Sequence, residues 1–254
     1  MNLPFVSKDA LLEELSKFPK EAYIATDADG TLWSGDVGED FYRAMVEQGD
    51  FREEALNELR GLNRELGLST EGTGASLSRA LFSAYEAGKF AESRCCAMIA
   101  ALSAGWTTKE LDAFCVALVE KENVRERLHD ELVHVLTELA RRGVKMVVVS
   151  ASPVGIVRAG VAALNLPLDH VIAVTPELVG DRLGTRIVDP MPYGEGKAQA
   201  LQKEIEGRTC MAAFGDNAFD VPMLLHSKIP VAVRPKPRLL ARAGEVPNLR
   251  TLTR

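Results

Sequence analysis

The residues Asp27-Ala28-Asp29-Gly30-Thr31 carry most of the chemistry that this sequence offers. They follow a short apolar run at 22–26, which predicts a buried strand that Gly30 breaks off. Because strand side chains repeat every two residues, Asp27 and Asp29 leave the strand end on the same side. Two such carboxylates repel each other unless they share a cation or a proton. The spacing indicates that one Asp stays ionised as nucleophile or metal ligand and the other carries a proton, with an Asp-rich turn as the alternative.

A second polar motif, Ser150-Ala151-Ser152-Pro153, directly follows the Val-rich run 144–149. Serine before proline is typical of a helix start, so we assign Ser152 to a helix cap. Ser150 is not needed for that cap. Its hydroxyl lies at a strand end beside the amides of a helix N-terminus, where it can help to hold a phosphate oxygen.

Lys197 follows a turn that contains Gly194 and Gly196, at the start of a predicted helix. A lone lysine at such a place is usually solvated, and the helix dipole does not favour a cation there. In a chain that gathers carboxylates, the ammonium group can instead offset charge on a phosphoryl group and on Asp27. The residues alone leave both interpretations open.

The segment Gly215-Asp216-Asn217-Ala218-Phe219-Asp220 follows the apolar run 210–214. Asp216 lies at a strand end, as Asp27 does, whereas Asp220 can also be a simple helix cap. The functional interpretation places both acids around a divalent cation or around Lys197. Several carboxylates at one sheet edge would repel a phosphate unless a cation were present, and oxygen ligands with several waters are what Mg²⁺ prefers.

The composition argues against several functional classes. The 254 residues are 46% apolar and 26% charged, and the formal net charge is −6. That charge argues against a nucleic-acid surface, and no apolar run approaches the ~18 residues of a membrane span. The four histidines and four cysteines show no zinc or disulfide spacing. We expect a cytoplasmic protein whose partner is a small molecule, neither nucleic acid nor membrane, with the oligomeric state open.

Strands and helices alternate through most of the chain. Apolar runs predict strands at 22–26, 144–149, 171–174, 210–214 and 229–233, with helices at 7–18, 127–141, 154–164, 197–205 and 220–226 and a hairpin at 181–188 that turns near Gly184. This alternation predicts an α/β fold with a doubly wound (Rossmann-like) parallel sheet. In such sheets the ligand lies at the carboxyl ends of the strands, which is where the polar motifs fall.

Residues 38–121 show almost no strand signal. Helix patterns recur there at 39–48, 51–66, 77–87, 91–102 and 109–122, the last of which begins with a capping box formed by Thr107 and Glu110. The block therefore predicts an all-helical insertion that folds over the sheet. We place the α/β core at residues 1–35 and 125–254 and the helical cap domain at residues 36–124.

The order D-x-D-G-T, Ser after an apolar strand, Lys, and then G-D-x-x-x-D resembles the haloacid dehalogenase superfamily over the whole chain. The helical insertion after the first motif resembles the cap of the phosphoserine-phosphatase-like branch. The resemblance implies a Mg²⁺-dependent phosphomonoesterase that acts on a small phosphorylated metabolite. A phosphotransferase or phosphomutase of the same superfamily and a catalytically idle phosphate-binding regulatory protein are the alternatives.

The resemblance also implies a role for each motif residue. Asp27 is the nucleophile that becomes an aspartyl phosphate, and Asp29 is the acid that protonates the leaving oxygen and then the base that activates water. The Mg²⁺ ligands are the Asp27 carboxylate, the Asp29 main-chain carbonyl and Asp216, with Asp220 orienting Lys197 or binding the metal through water. The phosphoryl oxygens are held by Thr31, Ser150 and Lys197.

Three further residues are expected to govern substrate selectivity. Trp33 and Asp36 lie in the predicted hinge of the cap, and Arg94 is the nearest candidate for the cap arginine that binds the carboxylate of phosphoserine. The chain reads Ser150-Ala151-Ser152 where phosphoserine phosphatases read S-G-G, and Asn217 and Phe219 replace residues of their G-D-G-x-N-D motif. The sequence therefore leaves the substrate open.

Overall fold

The computed structural model describes residues 3–164 and 168–254. Its strands are β1 (Phe5–Val6), β2 (Tyr23–Thr26), β3 (Lys145–Pro153), β4 (His170–Val174), β5 (Pro176–Val179), β6 (Arg182–Ile187), β7 (Cys210–Gly215), β8 (Ile229–Ala232) and β9 (Arg250–Leu252). Seven of them form one sheet in the order β1-β9-β8-β7-β2-β3-β4, with every neighbouring pair parallel. The short strands β1 and β9 were not predicted, because two or three residues carry no recognisable apolar pattern.

The helices are α1 (Lys8–Leu15), α2 (Val37–Gln48), α3 (Glu53–Glu65), α4 (Gly74–Glu86), α5 (Glu92–Ala101), α6 (Thr108–Lys121), α7 (Asp130–Arg141), α8 (Val154–Ala163), α9 (Glu195–Glu204), α10 (Val221–Leu225) and α11 (Pro237–Ala241). In α7 the buried side chains Leu132, Val135, Leu136 and Leu139 recur every three or four residues, so one apolar face packs on the sheet. Within the described ranges, no helix combines the length and the apolar character needed to cross a membrane.

The sheet has an apolar cluster on each face. Ile24 of β2 and Met146 of β3 belong to one cluster, whereas Ala25 and Val147, one residue further along each strand, belong to the other. Successive strand side chains point to opposite faces, so both faces of these strands are covered. This confirms the α/β prediction of a sheet wound on both sides.

Between β2 and α7 the chain forms the five helices α2 to α6, where an all-helical insertion was predicted. The predicted capping box is present, since the Thr107 hydroxyl accepts from the Glu110 amide at 3.2 Å and the Glu110 carboxylate accepts from the Thr107 amide at 2.7 Å. The domain boundaries at residues 35–36 and 124–125 stay a prediction, and residues 1–2 and 165–167 of the predicted core lie outside the described residues.

The two linkers that join this insertion to the core are hydrogen-bonded to each other. The Ser34 amide donates to the Arg127 carbonyl at 2.9 Å, and the His129 amide donates to the Leu32 carbonyl at 2.9 Å. Arg127 also pairs with Asp40 of α2 at 2.7 Å. The entry and exit of the insertion therefore lie side by side.

The hairpin of β5 and β6 makes a further connection to the insertion. Its strands pair with Leu178 opposite Leu183 and Val179 opposite Arg182, so the turn consists of Gly180 and Asp181. The predicted turn near Gly184 is wrong, because Gly184 lies inside β6 while Gly180 has the left-handed φ of 66° that such tight turns need. The Leu183 amide donates to the Trp106 carbonyl at 2.8 Å, which ties the hairpin to the segment before α6.

Candidate active site

The polar motifs meet at the carboxyl ends of four adjacent strands. In the sheet order β8-β7-β2-β3, Asp216 follows β7, Asp27 follows β2, and Ser150 lies near the end of β3. Lys236 follows β8 and was not singled out in the sequence. Parallel strands present their carboxyl ends at one edge, so residues far apart in sequence form one site there.

Asp27 is buried, with 5% of its surface exposed, and both of its carboxylate oxygens are held. Lys197 donates to Oδ1 at 2.6 Å, and the Thr31 hydroxyl donates to Oδ2 at 3.1 Å. Burial and the negative charge of Asp220 raise the pKa of Asp27 to about 7. Thr31 is fully buried behind Asp27, and it is not among the residues that line the cavity described below. Its hydroxyl therefore fixes Asp27 in this arrangement, and the expected contact of Thr31 to a phosphoryl oxygen stays a prediction.

Gly30 brings the first motif close to the fourth. Its φ is +82°, and a Cβ at this position would lie 2.0 Å from Oδ2 of Asp216. A larger residue would therefore collide with the Asp216 carboxylate as well as strain the backbone. The turn that ends β2 thus needs glycine so that the carboxylates can gather.

Lys197 is buried at 2% exposure and bridges two carboxylates. Its Nζ donates to Asp27 and to Asp220, both at 2.6 Å. Burial alone lowers the pKa of Lys197, but the charges of Asp220 and Asp27 outweigh it and raise that pKa. Asp220 also accepts the amides of Asp216 and Asn217, at 3.0 and 2.9 Å, so it holds both the lysine and the turn after β7.

Asp29 is held by three neutral donors and no lysine. Its Oδ1 accepts from the Trp33 indole at 2.8 Å and from the Val37 amide at 2.7 Å, and its Oδ2 accepts from the Ser152 hydroxyl at 2.7 Å. Burial and the charge of Asp36 raise the pKa of Asp29 to about 7, although the three hydrogen bonds oppose this rise. A carboxyl with such a pKa exchanges a proton near neutral pH.

The prediction that Ser152 caps a helix is wrong. The backbone stays extended through Pro153, which occupies the cap position of α8 without a side-chain hydrogen bond, and the Ser152 hydroxyl contacts Asp29 instead. Ser150 is 1% exposed, and its Oγ accepts from the Ser152 amide at 3.0 Å. Its hydroxyl hydrogen remains available for another acceptor in the cavity that Ser150 lines.

The donor set at this edge fits a divalent cation. One carboxylate oxygen from each of Asp27, Asp216 and Asp220 lies within 4.8 Å of the others. The Asp216 carboxylate also contacts Lys236 Nζ at 2.8 Å. Burial and the charges of Asp27 and Asp220 raise the pKa of Asp216 to about 7. The cluster is therefore short of positive charge even with two lysines, and hard oxygen donors of this kind suit Mg²⁺.

A cavity of about 110 Å³ lies above these groups. The insertion contributes side chains from α2, α4 and α5, and the core contributes the carboxylate cluster, Tyr193 and Phe219. Asp36, one of the three predicted selectivity residues, lines the cavity and also caps α2 by accepting the Glu39 amide at 2.9 Å. The insertion therefore closes over the strand ends.

The other two predicted selectivity residues are not among those that line the cavity. Trp33 is fully buried; its indole donates to Asp29 and its carbonyl accepts from the Gly30 amide at 2.7 Å. Arg94 lies on the outer side of α5, where it pairs with Glu65 at 2.5 Å and covers the ring of Phe90. Their predicted role in selectivity has no direct contact to support it.

Sequence reasoning missed Lys236 and the role of Ser152. Asp27 and Asp216 were found because each is a polar residue that follows a buried strand. Lys236 meets the same criterion, since it lies four residues after the end of β8. No such signal exists for Ser152, because its contact to Asp29 depends on how β2 and β3 are aligned.

Comparisons with known proteins agree with this geometry. A model of haloacid dehalogenase-like hydrolases matches residues 24–225. No curated protein sequence matches the chain. Among solved structures, a protein of unknown function from Bordetella pertussis Tohama I is 21% identical with a TM-score of 0.67, covering 91% of this chain and 98% of that one.

Two solved structures of phosphoserine phosphatase share the fold. A substrate-bound complex is 18% identical with a TM-score of 0.54, covering 92% of this chain and 94% of that one. A phospho-aspartyl intermediate analogue is 19% identical with a TM-score of 0.52, covering 92% and 93%. The fold of the predicted branch is thereby confirmed. Because the family model spans well over half of the chain, this protein belongs to the haloacid dehalogenase-like hydrolase family.

Proposed function

We propose that this hydrolase is a Mg²⁺-dependent phosphomonoesterase that acts on a small phosphorylated metabolite through an aspartyl phosphate on Asp27. The observation that carries the proposal is the different environment of two neighbouring carboxyls. Asp27 is held by a lysine and a hydroxyl, whereas Asp29 is held by neutral donors only. Such a pair can divide nucleophilic and acid–base work.

In the first step, an oxygen of Asp27 forms a bond to phosphorus while the bond from phosphorus to the ester oxygen breaks. The leaving oxygen takes the proton of Asp29, whose pKa of about 7 lets it carry that proton near neutral pH. In the second step, water attacks phosphorus, Asp29 takes a proton from this water, and Asp27 leaves as a carboxylate.

Lys197 and the Ser150 hydroxyl are the donors available to the phosphoryl oxygens. Lys197 is fixed by Asp220, so it needs little reorganisation when charge develops. The cation would be held by the carboxylates of Asp27 and Asp216, with the Asp29 carbonyl as the third expected ligand, and Asp220 supports Lys197. Bound Mg²⁺ would supply positive charge against the carboxylates and the phosphoryl group.

Two further findings support the proposal. The cavity of about 110 Å³ suits a compact ester, as does the closed position of the insertion. A neighbour in fold is a phospho-aspartyl intermediate analogue of phosphoserine phosphatase, and the first motif of this chain offers Asp27 for the same chemistry.

The test is phosphate release from a small aryl phosphate, with and without Mg²⁺, by the parent and by Asp27→Asn. We expect turnover by the parent and none by the variant, with melting curves showing that both are folded. An amide is neither a nucleophile nor an anionic ligand, so substantial activity in a folded Asp27→Asn variant would contradict the assignment. A parent that releases no phosphate from any ester would contradict the function itself.

A further inference from the structure

Besides the catalytic groups, the cavity is lined by aromatic side chains from two sources. Phe82 and Tyr85 come from α4 of the insertion, and Tyr193 and Phe219 come from the core. The rings of Phe82 and Tyr85 meet edge to face at 5.6 Å, and those of Tyr193 and Phe219 are stacked at 4.9 Å. Aromatic faces carry the negative part of the ring quadrupole, so they attract cations.

Most charged groups that line the cavity beside these rings are acidic, although the Arg238 guanidinium, outside the lining, lies over the Phe219 ring at 5.9 Å from its centroid. Asp36, Glu39 and Glu92 line the cavity together with the catalytic carboxylates. Of the described residues that line it, the only basic ones are Lys197 and Lys236, and both already contact carboxylates of the catalytic cluster. A carboxylate on the substrate would be repelled here, whereas an ammonium group would be attracted.

Glu92 lies close to the tyrosines. Burial and then the charge of Glu92 raise the pKa of Tyr85 to about 12, and the same two causes raise the pKa of Tyr193. Glu92 pairs with Arg238 at 3.1 Å, but the arginine side chain is 64% exposed and is not among the residues that line the cavity. Because the Arg238 end of this pair lies in solvent while the Glu92 side chain is 26% exposed, Arg238 can return to solvent when a cation from the cavity takes its place at Glu92.

We propose that the substrate is the phosphate monoester of a small amino alcohol, whose ammonium group binds beside the aromatic rings and the Glu92 carboxylate. This inference rests on the phosphatase function proposed above and names its substrate class. The catalytic carboxylates then act on the phosphate end, while Phe219, Tyr85 and Tyr193 face the cationic end. Phosphoserine fits less well, because no described basic residue in the lining is free to pair with its carboxylate.

The experiment compares esters that differ in charge but little in shape, using the full chain with Mg²⁺ and measuring kcat/KM by phosphate release. Phosphocholine is paired with 3,3-dimethylbutyl phosphate, in which carbon replaces the charged nitrogen. Phosphoethanolamine is paired with phosphoserine, which adds only a carboxylate. We expect phosphocholine to be favoured over its neutral isostere by about tenfold or more, from cation–π and charge attraction together. Phosphoethanolamine should be favoured over phosphoserine by a similar factor, because the acidic lining repels the added carboxylate.

Two variants test whether residues that line the cavity cause the preference for a cationic ester. Glu92→Gln removes the charge, and Phe219→Leu removes one ring. Each should lower the ratio of phosphocholine to 3,3-dimethylbutyl phosphate by about threefold to tenfold, on the scale of a single cation–π or ion-pair contact. Glu65→Gln is the matched control, since Glu65 pairs with Arg94 outside the lining and its loss should leave the ratio unchanged.

The outcomes separate this inference from the function on which it rests. If an aryl phosphate is hydrolysed but the neutral isostere equals phosphocholine, or phosphoserine is preferred to phosphoethanolamine, the ammonium assignment is wrong and the phosphatase function stands. If the ratio is unchanged in Glu92→Gln and in Phe219→Leu, the assignment to these residues is wrong. If no ester releases phosphate, both proposals fail.

Discussion

Replacing Trp33 by Phe tests whether catalysis depends on how Asp29 is held. The substitution keeps an aromatic ring in the core but removes the indole donor that lies 2.8 Å from Asp29 Oδ1. A hydrogen bond to a charged group contributes about 1.5–3 kcal/mol, which corresponds to a loss of roughly 10- to 150-fold in kcat/KM if the bond acts in the transition state. Because this bond favours ionised Asp29, its loss should also raise the pKa of that carboxyl and move the alkaline limb of the kcat/KM profile to higher pH.

Trp106→Phe is the matched control. Trp106 is also buried, at 3% exposure, and its indole donates to the Asp50 carbonyl at 3.2 Å, away from the catalytic carboxylates. Both variants lose a buried indole and should lose similar stability, so a difference in activity reports the contact to Asp29. The reasoning is refuted if the two variants keep the same kcat/KM and the same pH profile as the parent.

The buried position of Trp33 also bears on Trp33→Ala, since Trp33 was expected to govern substrate selectivity from the hinge of the cap. A hinge residue would change substrate preference more than stability, but Trp33 is fully buried and contacts Gly160 of α8. Removing a buried tryptophan side chain costs about 3–5 kcal/mol, so the principal effect should be on the free energy of unfolding.

Three further predictions concern the metal and the protons that compete with it. Mg²⁺ should be required and Ca²⁺ should inhibit, because Ca²⁺ accepts looser coordination that can engage both Asp27 oxygens; full activity in excess chelator or with Ca²⁺ alone would contradict this. Lys236→Met should tighten Mg²⁺ binding by at least about fivefold in calorimetry, since it removes a competing charge 2.8 Å from Asp216, whereas Lys203→Met on the exposed end of α9 should not. Burial raises the pKa of Asp27 and Asp216 to about 7 from 3.8, so without metal their contribution to stability is lost as pH rises from about 4 to 7. The rise in Tm on adding Mg²⁺ should therefore be larger at pH 8 than at pH 5.5, and an equal rise at both pH values would contradict the raised pKa values.

The way the insertion is attached limits how it can open. The two linkers that join the insertion to the core are hydrogen-bonded to each other, and the β5–β6 hairpin is joined to the segment before α6 by backbone hydrogen bonds of Gly105 and Leu183. A motion about two linkers would have to carry the hairpin with it or break these bonds. The hairpin is then part of whatever opens to admit substrate, which the linear position of residues 176–187 did not suggest.

The fold class and the carboxylates that meet at one sheet edge were predictable from the sequence, because both depend on short-range patterns. Continuous apolar runs are typical of strands buried on both faces, and the structure has β2, β3, β4, β7 and β8 where those runs lie. The polar residues that follow β2 and β7 come together because parallel strands share one carboxyl edge. No knowledge of side-chain packing is needed for that step.

Only the tertiary structure decided which groups hold those carboxylates and what faces the substrate. Ser152 reaches Asp29 because β2 and β3 are aligned with Thr26 opposite Val148, and Lys236 reaches Asp216 because β8 lies beside β7. The aromatic and acidic lining combines α4 and α5 with turns of the core that lie more than a hundred residues away in the chain. Such contacts depend on strand register and helix packing, which arise from the whole core and leave no local pattern in the sequence.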